Sequence, residues 1–187
     1  MMEDEFVDIA LAAAQEVLGR PLSIRRGAAL LYEVTVDNRL QLTIDPRAPR
    51  RGQSAFQTDL AVFETVGDGI DIPRVVLEFK QSLSTHDVLT YSAKARKHKQ
   101  VYPYLRYGLV VSSDAALPGR FFRHNEALDF GVAAAAYGQS RLHQLFEGLL
   151  KVEVEASRTL ERIFYGGLRT AVFRFGVEVD TNAGKVV

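Results

Sequence analysis

Asp59, Glu78 and Lys80 are the residues whose types and spacing could do chemistry together. Glu78 and Lys80 stand two apart in Val75-Val76-Leu77-Glu78-Phe79-Lys80, so on a strand both side chains leave one face of the sheet. Thr58-Asp59-Leu60-Ala61-Val62-Phe63 reads as the strand before it, and hairpin pairing would set the Asp59 carboxylate beside Glu78. Two carboxylates so placed form a hard-oxygen site for Mg²⁺. An adjacent ammonium can orient water or offset charge developing on phosphorus. The plainer use of these charges is an ion pair across exposed hairpin positions. The apolar lead-in to Glu78 argues for a buried strand instead, where a charged trio costs free energy unless paired or metal-bound.

The elements that must position the trio follow from periodicity. Residues 3–18 predict an amphipathic helix, with Phe6, Ile9, Ala10, Ala13 and Val17 on one face and Gly19-Arg20-Pro21 ending it. Residues 24–36 fit either a short helix capped by Ser23 or a strand, and Asp37-Asn38 reads as a turn before Leu40–Ile44. Residues 45–54 predict an exposed loop. Strands are expected over 55–65 and 74–80, joined through Gly67-Asp68-Gly69 and closed off by Ile72-Pro73. Then come a helix over 86–101 with Thr85 as cap, a strand over 105–111, and an extended segment over 121–136. A long helix over 140–165 has a stripe of Leu142, Leu145, Phe146, Leu149, Leu160, Ile163 and Phe164, and residues 168–179 alternate like a half-buried strand.

This order, with Asp59 on one strand and Glu78-Phe79-Lys80 on the next, resembles the PD-(D/E)XK nuclease superfamily, the fold of many type II restriction endonucleases and Holliday junction resolvases. The resemblance covers about residues 3–112 and implies an α/β fold with a restriction-endonuclease-like αβββαβ core. Its mixed central sheet would be flanked by helices. Residues 113–187 would form a C-terminal helix–strand extension of the same single domain (1–187). The resemblance implies that Asp59 and Glu78 bind Mg²⁺, with Mn²⁺ as a substitute, that the Phe79 backbone carbonyl is a further ligand, and that Lys80 is the catalytic lysine. Thr58 stands where the family name has proline. An acid from an early element would join the site, with Glu16 and Glu33 both open, and Gln100 with Tyr104 resembles an auxiliary Gln-x-x-x-Tyr element. The implied activity is hydrolysis of phosphodiester bonds in double-stranded DNA, leaving 5′-phosphates. The alternatives are a resolvase-like repair or recombination nuclease and a non-catalytic DNA-binding protein on the same fold.

Charge distribution fits a DNA partner. From Gln81 to His124 seven basic residues face only Asp87 and Asp114, although the whole chain balances 23 basic against 23 acidic residues. Lys94, Arg96, Lys97, His98 and Lys99 wrap the helix over 86–101, and Lys94, Lys97 and Lys99 are the expected phosphate contacts. The four histidines show no metal-binding spacing and read as surface or capping residues. Zero cysteine excludes thiolate zinc sites, iron–sulfur clusters and Cys nucleophiles. With no GxxxxGK[ST] and no GxSxG, neither a nucleotide cofactor nor a serine hydrolase is indicated. No apolar run approaches the roughly 20 residues of a membrane span, and the acidic N-terminus is unlike a signal peptide. The expectation is a cytoplasmic homodimer. The helix over 140–165 or the strand over 168–179 would supply its seam, unless both fold back on the core.

Overall fold

Helix α1 (Glu3–Val17) buries Phe6, Ala10 and Ala13 of the face predicted from its spacing, together with Val7 and Ala14, while Ile9 is half-buried. The computed structural model describes residues 3–173 and 179. Strands β1 (Leu22–Arg26) and β2 (Ala29–Leu31) follow, turning at Gly27 with φ +67°. The positive φ favours glycine there, and a Cβ would stand 2.8 Å from the Gln57 side-chain nitrogen, the movable end of an exposed side chain.

Strands β3 (Arg50–Arg51) and β4 (Ser54–Gln57) join β2 in a small sheet ordered β2-β4-β3. The chain then breaks at Thr58–Asp59 and enters the main sheet as β5 (Leu60–Val66) and β6 (Ile70–Lys80), linked by a 3-10 turn at Gly67–Gly69. Helix α2 (Thr85–Val101), β7 (Arg106–Val111), α3 (Gly119–His124), β8 (Phe130–Ala133) and α4 (Gln139–Phe164) complete the order. The five-stranded sheet runs β1-β5-β6-β7-β8. Its first two pairings are antiparallel and its last two parallel, so the sheet is mixed.

Side-chain alternation splits the core into two layers. Leu60, Val62, Val75, Leu77, Phe79 and Val110 pack against α1 and α4. Ala61, Val76, Tyr107, Leu109 and Val111 pack under β2, α2 and α3. The parity of β6 thereby puts Glu78 with Val76 on the α2 face. Each fully buried Leu or Phe contributes roughly 1.5–3 kcal/mol.

Several expectations change. Residues 31–36 and 40–44 add no strand to the main sheet; they form an arm with one bridge, Val36–Leu42, turned by Asp37, whose carboxylate accepts from the Arg39 and Gln41 amides. Among the described residues no layer covers the arm, and Val34, Val36, Leu40 and Leu42 are exposed. The strand expected over 55–65 is two strands in two sheets. Pro73 does not close β6 but sits within it, opposite Phe63, where a register shift spares the missing N–H. The cap of α2 is Ser84, one residue earlier than expected: its hydroxyl accepts from the Asp87 amide while the Asp87 carboxylate accepts from the Ser84 amide. Residues 121–136 hold the end of α3 as well as β8.

The long C-terminal helix is no appendage. Leu142, Phe146, Leu150 and Val154 are buried in the layer that α1 shares, with Leu145 and Leu149 packed against it, so this part of the helix belongs to the chain's own core, whereas Phe164 at its end is exposed. Of the strand expected over 168–179, residues 168–173 form none, and 174–178 lie outside the described residues. Among the described residues no helix is long and apolar enough to cross a membrane.

Candidate active site

The bend between the two sheets positions Asp59. The Thr58 amide and hydroxyl both donate to the Ala28 carbonyl, at 2.9 and 3.0 Å, and the Gly27 amide donates to the Asp59 carbonyl at 3.0 Å. The next residue, Leu60, pairs with Leu77, which sets Asp59 alongside Glu78. The expected cross-strand juxtaposition is present, although Asp59 stands at the head of β5 rather than within a strand. Its Oδ2 accepts the Phe79 amide at 2.7 Å. In an extended strand a residue's N–H and C=O point to the same edge, so the Phe79 carbonyl is aimed toward Asp59 as well.

Glu78 is 1% exposed. Its Oε1 accepts from the Tyr107 hydroxyl and from the Lys94 ammonium, each at 2.5 Å. Burial raises the Glu78 pKa from 4.5 to about 7; the Lys94 charge opposes the rise and the Asp59 charge adds to it. Burial likewise pushes the Tyr107 phenol well above its ordinary 10, reinforced by the Glu78 charge. The carboxylates open onto a cleft of about 550 Å³ whose walls include Tyr32, Arg51, Tyr91 and Lys94. Anionic floor and cationic wall meet there.

Lys80 leaves the same face of β6 as Glu78, with its ammonium 5.6 Å from the centre of the Tyr91 ring. Burial raises the Tyr91 pKa, with the Glu78 charge adding and a hydrogen bond with Lys80 opposing. The ammonium hydrogen-bonded to Glu78 is that of Lys94, from α2. Glu33 follows the cleft residue Tyr32 and accepts from the Ser54 hydroxyl at 3.1 Å. Glu16 points instead to α4, accepting from His143 at 3.0 Å, in the layer across the sheet. Of the two acids left open by the sequence, Glu33 is the one on the cleft side. Gln100 is exposed and does not line the cleft, while Tyr104 is buried with the Arg74 guanidinium 5.5 Å from its ring centre.

The basic run of α2 divides three ways. Lys94 enters the cleft, Lys97 is exposed, and Lys99 bonds Asp129 and the Ala127 carbonyl, both at 2.7 Å. Burial lowers the Lys99 pKa, which Asp129 partly restores. His98 is corrected from surface to core: it is fully buried, and its Nδ1 lies 2.8 Å from the Leu31 carbonyl. Burial lowers its pKa from 6.5 to about 4, the Leu31 bond opposing.

The sequence names Tyr91 and Tyr107 only as tyrosines near the basic helix that could stack on bases or pack its inner face, and Lys94 only as a phosphate contact; their places beside Glu78 and Lys80 were missed. A signal existed for two of them. Tyr91 and Lys94 are i,i+3 neighbours beside the buried Ala95 and His98, so one face of α2 carries all four. The donor set suits Mg²⁺, being two carboxylates and a backbone carbonyl, all oxygen. A cation, the Lys94 ammonium, already sits against one of these donors. Among the described residues no group of three or more His, Asp or Glu is placed to hold a metal ion by itself. No protein-family model matches this chain, and no curated protein matches it.

Proposed function

We propose that this chain is a Mg²⁺-dependent DNA endonuclease on a restriction-endonuclease-like core. The observation that carries the reading is that Asp59 and Glu78 line one cleft together with Arg51 and Lys94, the Asp59 carboxylate being held by the Phe79 amide. The order α1-β1-β5-β6-α2-β7 along a mixed sheet supports it, being the order that the resemblance implies.

Asp59, Glu78 and the Phe79 carbonyl would hold Mg²⁺, or Mn²⁺ in its place. When bound, that ion supplies Lewis acidity to water and phosphate oxygens. The Phe79 amide fixes the Asp59 carboxylate, so its orientation exists before substrate arrives. The Tyr107 hydroxyl does the same for Glu78. Lys80, beside the pair, would hold the nucleophile or the scissile phosphate. Arg51 would offset phosphate charge across the cleft. Cutting both strands with one site per chain asks for two copies about a two-fold axis, with a seam other than the α4 stripe.

The test is incubation of the protein with supercoiled plasmid and with branched DNA, each with Mg²⁺ and with EDTA. Linearised plasmid with Mg²⁺ and none with EDTA is the expected result. Cutting confined to branched DNA would make the chain a resolvase-like nuclease. Binding of both DNAs with no metal-dependent cutting would make it a non-catalytic DNA-binding protein.

A further inference from the structure

Lys94 bridges the two sheets at the point where they part. Its ammonium donates to the Gln57 carbonyl at 2.7 Å, at the end of β4, and to Glu78 Oε1 at 2.5 Å, on β6. It also lies 5.8 Å from the centre of the Tyr91 ring. With that side chain only 17% exposed, the ammonium is a cation enclosed by oxygen donors and an aromatic face. Glu78, on whose Oε1 the ammonium sits, is also one of the two carboxylates that would hold a metal.

An ammonium bonded to a carboxylate and a divalent ion held by that same carboxylate repel each other strongly in so dry a place. We infer that Lys94 is an exchangeable stand-in for the metal: it neutralises Glu78 in the metal-free chain and yields that place when a divalent ion enters. Its four-carbon stem then carries the ammonium further into the cleft that Arg51 also lines, to pair with a phosphate of the bound DNA. Lys94 thereby couples metal binding to substrate binding. The inference rests on the metal-site reading, and the two fail differently.

The experiment is Mn²⁺ binding to the full chain without DNA, followed by electron paramagnetic resonance, for wild type, Lys94→Gln, Lys94→Met, Lys94→Arg, Glu78→Gln and Lys97→Gln. Lys94→Gln should bind Mn²⁺ roughly tenfold more tightly than wild type, the equivalent of about one pK unit of removed cationic competition. Lys94→Met keeps the apolar stem against Tyr91 and serves if the Gln variant does not fold. Lys94→Arg keeps the charge and should bind no more tightly than wild type. Lys97→Gln should leave the affinity within about twofold, which separates local competition from the general field. A second readout is DNA affinity with Ca²⁺ against EDTA: the gain that Ca²⁺ brings to wild type should be lost in Lys94→Gln.

Unchanged or weaker Mn²⁺ binding in both Lys94→Gln and Lys94→Met would overturn the inference. If wild type then bound Mn²⁺ and Glu78→Gln did not, the metal site would stand without it. No Mn²⁺ bound at millimolar concentration by wild type or any Lys94 variant would remove the metal site and this inference together.

Discussion

The β5–β6 hairpin carries two buried glutamates with opposite electrostatics. Glu64, on β5, is held by Arg74 at 2.7 Å and Arg158 at 2.6 Å, and Arg74 also reaches Glu161 at 2.6 Å. Burial alone would raise the Glu64 pKa, but hydrogen bonds from Arg158 and Arg74 hold it below 4.5. Glu78, near the end of β6, has one ammonium, one phenol and a second carboxylate close by, and its pKa rises to about 7. Glu78 is the more deeply buried, 1% exposed against 9% for Glu64, and burial is the largest cause of its raised pKa. Charge matching adds to the difference. Around Glu64 the guanidiniums lock α4 onto the hairpin, as a structural cluster does. Around Glu78 the negative charge exceeds what its neighbours supply, a deficit a bound cation would remove.

The largest expected effect separates the two in activity. Asp59→Asn and Glu78→Gln should each lower plasmid cleavage by about 10³-fold or more, the loss of several kcal/mol of metal-dependent stabilisation. Glu64→Gln should cut at the wild-type rate below its melting temperature. An inactive but folded Glu64→Gln, or an active Glu78→Gln, would reverse the assignment of structure and function to the two glutamates.

Stability should separate them in the other direction. Glu64→Gln leaves the buried Arg74 short of a partner and should cost about 3 kcal/mol in urea unfolding at neutral pH. Glu78→Gln should be stabilising at pH 8. The Glu78 pKa is raised on folding, so its contribution is fully present below pH 4.5 and lost as pH rises toward about 7, a swing of up to ~3 kcal/mol.

His98 titrates against it. Its pKa is depressed on folding, so its contribution is present above 6.5 and lost as pH falls toward about 4. The swing is again up to ~3 kcal/mol. The ring faces Tyr107 at 5.7 Å and Phe56 at 5.8 Å, with Lys94 the charged group acting on it. Wild type should therefore hide both slopes between about pH 4.5 and 6.5. The wild-type curve minus that of Glu78→Gln should fall with pH there, and minus that of His98→Gln should rise. Two flat difference curves would mean that neither group is desolvated on folding.

How much of this was legible depends on range. Local periodicity sufficed for α1, α2, β7 and α4, and the parity of β6 with the hairpin put Asp59 and Glu78 together. The break at Thr58–Asp59 was not legible, because it is made by amides and carbonyls of Gly27 and Ala28, some thirty residues earlier. Lys94 was visible only as one base in a basic run. Its role depends on Glu78 lying under that turn of α2, a tertiary fact with no local signal. Arg74 and Arg158 likewise lie 84 residues apart in the chain and meet only at Glu64.

The same sorting by partner applies to the remaining bases of α2 and gives the smallest expected effect. Lys97 is exposed and pairs with no acid among the described residues, so a phosphate would meet it without breaking anything. Lys99 is committed to Asp129, which also holds Arg106 at 2.8 Å and accepts the Tyr107 amide at 2.7 Å beneath the site. Removing a phosphate contact should reduce the salt slope of log K for DNA by about one unit; removing an internal ion pair should not. Lys97→Ala should therefore flatten the slope by about one unit and leave the melting curve unchanged. Lys99→Ala should leave the slope unchanged and lower stability by about 1–3 kcal/mol, since it strands part of a buried carboxylate. DNA titrations over a range of salt concentrations, with thermal melts of the same preparations, measure both. An unchanged slope in Lys97→Ala with a flattened one in Lys99→Ala would mean that the Asp129 pair opens on DNA, and that charge matching does not separate structural from binding groups on this helix.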